Sequence, residues 1–493
     1  MKNFISTRNG QAPLSFHQAI VQGIASDGGL LVPDFELPHL DIRNMTGMDY
    51  VSVAGEILAA FAPEEDRETL VGICRKAYGS GLFPEDAAPL RKVGDVWVTE
   101  LTHGRTCAFK DMALSVLPHL MRLALDRSGE DRKVMILAAT SGDTGKAALE
   151  GFRDVPGTAI TVFYPSEGVS AVQKLQMITQ EGGNVSVVGI DGNFDDAQRA
   201  VKQAFSDPGI AEECRRNGVF LSSANSINIG RLLPQIAYYF WSYLSMVRNG
   251  AINMGGKIDF CVPSGNFGNC LAGWMAREMG VPARRFIVAS NPNDILTDFF
   301  NTGIYDARRE FFKTCAPAMD ILVSSNMERL LWYMSGKDGD RVRSLMEGLR
   351  KDGYYKVEGD VLDRIREDFR AGFLTEEEIK ETIGKCYREH SYLLDTHTAC
   401  GYGVLERLRR EEGDSVPTVL MSTASPFKFP EAVLEAICGE KLESAGAISR
   451  LEQVTGIKAP LPLKGLENRK VLHNRKIDRT EMAGFIAASV RNK

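Results

Sequence analysis

Apolar residues follow two patterns along the chain, and the alternation between the two predicts how it folds. In 134–140 (VMILAAT), 159–165 (AITVFYP), 185–190 (VSVVGI), 257–265 (KIDFCVPSG), 285–290 (RFIVAS) and 418–425 (TVLMSTAS) apolar residues follow one another without a polar residue at every second position. Such runs predict strands buried on both faces. KAALEGF, SAVQKLQMITQ, DDAQRAVKQAF, NFGNCLAGWMAREMG and PEAVLEAI follow these runs and read as helices. Buried strands separated by helices make a parallel sheet covered on both sides, so the predicted class is α/β.

The rhythm breaks at either end of this stretch. Residues 1–95 read as mixed and mostly helical, with VSVAGEILAAFA (51–62) at helical period and SDGGLLVP (26–33) as a turn. WVTE (97–100) is a short strand leading into THGRTCAFKD. Residues 305–390 are rich in charge, with RVRSLMEGLRK and TEEEIKETIGKCYREH as helices and few strand candidates, and read as a helical insertion. The expected division is an N-terminal domain at 1–95, an α/β core of two lobes at 96–304 and 391–440, the insertion at 305–390 and a C-terminal segment at 441–493.

Ligands of such sheets gather at the carboxyl ends of the strands. SGDTG (141–145), SGNFGN (264–269) and STASP (422–426) all sit there. The two glycines of SGNFGN let successive amides converge at a helix N-terminus, which suits a phosphate; the same residues also make an ordinary capping turn. The fragment is neither a Walker loop nor a dinucleotide fingerprint. In SGDTG, Ser141 either caps the helix or, with the neighbouring amides, holds a carboxylate; in the second case Asp143 has to point away. Lys110, in TCAFKD, has apolar neighbours that would favour an uncharged, nucleophilic amine, although most lysines are solvated. The aromatic block Tyr238, Tyr239, Phe240 and Trp241 reads as core or interface, and His103 as a hydrogen-bonded structural residue.

Composition narrows the classes. The chain of 493 residues is 44% apolar and 25% charged, the balance of a globular protein with more than one packed unit. A net charge of −6 argues against a nucleic-acid surface, and no run of about 18 apolar residues predicts a membrane span. Nine scattered cysteines without a CxxC pair point to reduced thiols in the cytoplasm and to no metal site. The N-terminal residues lack the apolar core of a signal peptide.

Several stretches together resemble the threonine synthase family. ELTHGRTCAFKDMAL (100–114) is similar to its lysine motif and ATSGDTGKAA (139–148) to its substrate-carboxylate turn. SANSINIGRLLPQI (223–236), VPSGNFGN (262–269), STASPFKFP (422–430) and the N-terminal stretch 6–33 also look like its segments, in the same order. The resemblance implies the tryptophan synthase β-like fold of pyridoxal-phosphate enzymes and conversion of O-phospho-L-homoserine and water to L-threonine and phosphate. It implies that Lys110 is the Schiff-base lysine and acid/base. Gly265, Asn266, Phe267, Gly268 and Asn269 would cradle the cofactor phosphate, and Thr423 would meet the pyridine nitrogen. Ser141, Asp143 and Thr144 would surround the substrate carboxylate; Asn225, Ser226 and Arg231 are further substrate candidates, with Arg231 gripping the substrate phosphate.

The chain departs from the family at Arg105, where many members have proline, and at Ser425, where some have histidine. It also departs in 164–173, which lacks a lysine that several members carry. Two readings therefore stay beside the first: a phospho-lyase releasing 2-oxobutanoate, and a non-catalytic binding relative. A monomer or homodimer is expected.

Overall fold

In the computed structural model the predicted strands assemble into two separate sheets. It describes residues 2–79, 81, 83–166, 169–192, 194–442 and 446–491, without the side chains of 194, 195 and 206. One sheet has five parallel strands in the order Lys476–Asp478, Val185–Asp191, Thr158–Pro165, Lys133–Ala139, Val219–Ser223. The other has six, in the order Phe369–Phe373, Ala283–Ser290, Ile258–Pro263, Thr418–Ser422, Val96–Glu100, Leu90–Val93. All six are parallel except the last, which returns antiparallel to Val96–Glu100.

The inner strands are buried at every position, as in Thr158–Pro165 and Ile258–Pro263, which is why their sequences do not alternate. Helices cover both sheets. Local chemistry sets several of their starts: Ser170 and Gln173 form a capping box on Ala171–Ile178, as Thr375 and Glu378 do on Glu376–His390. The aromatic block lies in the helix Ile236–Arg248, wholly inside the main apolar core. Trp241 there donates its Nε1–H to Ala88 O.

Three features differ from the sequence expectation. The N-terminal region carries a three-stranded antiparallel sheet, Leu14–Ser15, Asn3–Ser6 and Leu31–Pro33, beside its helices. Residues 305–390 are largely helical but not solely so. Phe369–Phe373 leaves this stretch and pairs with Ala283–Ser290 as an edge strand, and Ile304–Asp306 pairs with Tyr354–Lys356. An edge strand has one neighbour only and tolerates Arg370 and Gly372, so its sequence (FRAGF) carries little strand signal. Finally, Lys476–Asp478 in the C-terminal segment closes the edge of the five-stranded sheet.

All nine cysteines are free. No helix among the described residues is long and apolar enough to cross a membrane.

Candidate active site

The carboxyl ends of strands from both sheets open onto one cavity of about 930 Å³. Lys110, Ser141, Asp143, Thr144, Asn225, Ser226, Arg231, Gly265, Asn266, Phe267, Gly268, Asn269 and Thr423, the whole set singled out from the sequence, line it.

Lys110 directly precedes the short helix Asp111–Leu114. Its loop is stitched to the turn after Thr418–Ser422: Phe109 N–H donates to Thr423 O (2.8 Å) and Ser425 N–H to Cys107 O (2.9 Å). The buried Asp111 carboxylate accepts from Thr106 N–H and Oγ1–H (2.8 and 2.6 Å) and fixes the loop from the other side. The Lys110 side chain is 10% exposed, and its Nζ lies 3.6 Å from Asp143 Oδ2. Burial, opposed by Asp143 and assisted by Arg231 and Lys428, lowers the pKa of its amine to about 8.

Asp143 opens the helix Asp143–Phe152. Its Oδ1 accepts from Gln173 Nε2 (2.9 Å) and stands 2.9 Å from Lys428 Nζ. Burial alone would raise this carboxyl, but Lys428 and Lys110 outweigh it and hold it well below the usual carboxylate range. Asp143 thus serves two lysines. An ionised carboxylate so placed repels a substrate carboxylate, which leaves Ser141, Thr144 and the free amides of the first helical turn as the groups that suit one. Thr140 Oγ1 already takes the amides of Gly142 and Gly145.

The glycine turn is built for close approach. Phe267 adopts a left-handed backbone (φ 59°) just before the helix Gly268–Glu278 while its ring packs against Phe300 and Phe369. Its contribution to the cavity is therefore backbone. The carbonyls of Gly265 and Asn266 accept from Ser324 Oγ (2.8 Å) and Asn326 Nδ2 (2.9 Å), so the turn's amides are what remains for an anion. Asn269 is spent internally: its Oδ1 accepts from Ser264 Oγ (2.6 Å) and its Nδ2 donates to Pro263 O (2.9 Å).

Three buried polar atoms of residues lining this cavity have no hydrogen-bond partner among the described residues: Thr423 Oγ1, Asn225 Oδ1 and Tyr355 Oη. A ligand atom facing each would satisfy it. Arg231 is 5% exposed and donates one bond, Nη1–H to Ala224 O (2.8 Å). No carboxylate among the described residues pairs with it, and burial lowers its pKa to about 10. A buried guanidinium facing a cavity without a counter-ion suits an anionic ligand.

Several residues escaped the sequence reading. Lys428 is fully buried at the foot of the site. Its signal was a lysine inside the apolar run PFKFP directly after a strand-end turn, where solvation is hard to arrange. Gln173 and Gln176 hold Asp143 and Lys428, and His397 lines the cavity between Asp395 and Ala318 N–H. Conversely, Arg105 is exposed, lies outside the cavity wall and bonds Glu150 (3.0 Å). His103 bonds Glu100 (2.8 Å) outside the cavity. Residues 167–168, within the divergent stretch 164–173, lie outside the described residues.

Comparison with known proteins gives this site its family. A family model described as pyridoxal-phosphate dependent enzyme matches residues 85–423. The threonine synthase N terminus model matches 3–78 and the threonine synthase C-terminal model 398–470. Threonine synthase of Pseudomonas aeruginosa is 41% identical, covering 89% of this chain and 91% of its own. Threonine synthase-like 1 of Homo sapiens is 39% identical over 86% of this chain, which spans only 58% of that longer relative. The crystal structure of PLP-bound threonine synthase from Brucella melitensis is 37% identical, with a TM-score of 0.86 and full coverage of both chains. The yeast threonine synthase structure is 32% identical, with a TM-score of 0.87, covering 100% of this chain and 99% of its own. The fold is accordingly that of pyridoxal-phosphate enzymes, pyridoxal phosphate is the cofactor, and the chain belongs to the threonine synthase family.

Proposed function

We propose that the chain is a threonine synthase, converting O-phospho-L-homoserine and water to L-threonine and phosphate. The observation that carries this reading is the pairing of a largely covered amine at Lys110 with two separate features suited to anions in one cavity. Cofactor and substrate each bring a phosphate, so two such features are needed at once.

The residues present fit the cofactor. Lys110 Nζ would hold it covalently, the amides of 265–269 and the helix N-terminus behind them would bind its phosphate, and the orphaned Thr423 Oγ1 would meet its ring nitrogen. When bound, pyridoxal phosphate supplies an electron sink for negative charge at the substrate α-carbon.

The chain's own residues do the rest. Ser141, Thr144 and the amides at the start of Asp143–Phe152 bind the substrate carboxylate. Arg231 binds the substrate phosphate, and Asn225 and Ser226 lie beside it in the wall. The Lys110 amine, once free of the cofactor, takes the proton from Cα and serves as the acid/base for the proton moved at Cβ. Its lowered pKa of about 8 leaves a useful fraction of it unprotonated at physiological pH. Phosphate then leaves from Cγ, Cγ takes up a proton to become the methyl group, water adds its hydroxyl at Cβ, and a proton returns to Cα. The two protons removed and the one released by water thus end on Cγ, Cα and the departing phosphate.

The test is product analysis with O-phosphohomoserine. Threonine and phosphate in equal amounts are expected. A predominance of 2-oxobutanoate makes the chain a phospho-lyase, and no turnover by a coloured, cofactor-loaded protein defeats both readings. Lys110→Ala should lose visible absorbance and turnover together.

A further inference from the structure

Lys428 is 0% exposed, yet its ammonium has a complete set of acceptors. Thr106 O lies at 2.8 Å, Gln176 Oε1 at 3.0 Å and Asp143 Oδ1 at 2.9 Å from Nζ. An ammonium has three hydrogens to donate and no lone pair to accept with, so this cage fits the charged form and no other. The cage is itself held: Gln176 Nε2 donates to the same Thr106 O (3.4 Å), and the backbone of Lys428 is tied to Ser425 O (3.0 Å). Lys110, by contrast, touches Asp143 at 3.6 Å and otherwise faces the cavity.

These two lysines divide one carboxylate between them. Oδ1 faces the caged ammonium and Gln173, whereas Oδ2 faces Lys110. A buried carboxylate needs a permanent counter-charge, and losing one partner of such a pair is expensive. Lys110 cannot be that permanent partner, because the reaction requires its nitrogen to bond the cofactor and to give and take protons. Lys428 can, since nothing in its cage changes when Lys110 does.

We propose that Lys428 is a positioning residue: a fixed internal cation that keeps Asp143 ionised throughout the cycle and, through Asp143, sets how readily the Lys110 amine releases its proton. This rests on the reading of Lys110 above but not on which product the enzyme makes. The other charged groups around the pair are Arg231 on the helix Ile229–Leu232, Lys146 on Asp143–Phe152 and Asp111 beside Lys110. Arg231 opposes a proton on Lys110, and Lys146 has its own partner in Glu150 (3.3 Å). Asp111 is bonded to Thr106. None of them contacts Asp143 as Lys428 does.

The experiment is trace acetylation of the full-length chain freed of cofactor, with the Lys110 peptide quantified by mass spectrometry from pH 6 to 11. Wild type should label with a midpoint near about 8. In Lys428→Met, Asp143 has Lys110 as its only cation and the opposing positive charge is gone, so the midpoint should rise by about 1–2 pH units. A purely structural lysine would leave it in place; an unchanged or lowered midpoint overturns the proposal. Should Lys428→Met fail to fold, Lys428→Gln gives the answer, because it keeps an N–H donor for the acceptors of the cage while the positive charge is gone. Its midpoint must also lie above that of the wild type, and an unchanged or lowered one overturns the proposal. Labelling does not depend on turnover, so a failure here is distinct from a failure of the functional reading.

Discussion

Replacing Lys110 with methionine should make the cofactor-free protein more stable at neutral pH, even though it abolishes function. An unfolded chain presents the Lys110 amine to water with a pKa of 10.5, whereas burial lowers it to about 8 in the folded protein. At about 1.4 kcal/mol per pH unit, that difference corresponds to about 3 kcal/mol of strain stored in the charged side chain. The sign follows from proton counts. Below pH 8 both states hold the proton and the full penalty weighs on the fold. Between 8 and 10.5 the folded state has lost the proton while the unfolded state keeps it, so stability rises with pH and the penalty fades. Methionine has a similar length and no charge, and Asp143 keeps Lys428 and Gln173 as partners. At about 2.1 cal/mol/K per residue, unfolding this chain of 493 residues releases an entropy near 1 kcal/mol/K, so about 3 kcal/mol is worth about 3 °C. The assay is the melting temperature of both cofactor-free chains at intervals from pH 7 to 10.5. The variant should melt higher at pH 7, and its lead should disappear by pH 10.5. A variant that melts lower at pH 7, or a lead independent of pH, refutes the account of a destabilised amine.

Three further outcomes follow from the cavity wall. Thr423→Val removes a hydroxyl that has no partner among the described residues, so the cofactor-free chain should keep its melting temperature while cofactor affinity falls about tenfold; thermal unfolding checks the first and equilibrium titration with pyridoxal phosphate the second. Arg231→Met should raise the KM for O-phosphohomoserine by about 10- to 100-fold, the worth of a charge-assisted contact, with the visible spectrum of the bound cofactor retained. Gly265→Ala would set a methyl 2.6 Å from Ala318 O, so the turn must shift; cofactor retention after gel filtration should drop, with a loss of about 1–3 kcal/mol in stability.

The parts of the fold that could be read in the chain are those where burial dictates sequence at every position. Lys133–Ala139 is buried at six of its seven residues and Ile258–Pro263 at all six, and nothing but a doubly covered strand satisfies such a run. Phe369–Phe373 and Lys476–Asp478 escaped for the opposite reason: at a sheet edge a strand answers to one neighbour, and polar residues survive in it. Glycine turns at strand ends were visible too, since chain order alone places them at the carboxyl edge.

Polar networks were less legible, and Asp143 shows why. From the sequence it is an acid in the first turn of a helix, a favourable place for any carboxylate, and SGDTG suggested a place around the substrate carboxylate. Its actual partners come from Lys110, Gln173 and Lys428, three stretches far apart in the chain and no motif in common. Helix capping is a local rule and can be read within four residues; charge compensation in a dry interior is a rule about neighbours in space. The lysine-bearing loop, the glycine turn and the threonine turn could be picked out singly, by family likeness. Only the closure of the two sheets on one cavity decides that the acid faces two amines and that one of those amines is locked while the other stays free to react.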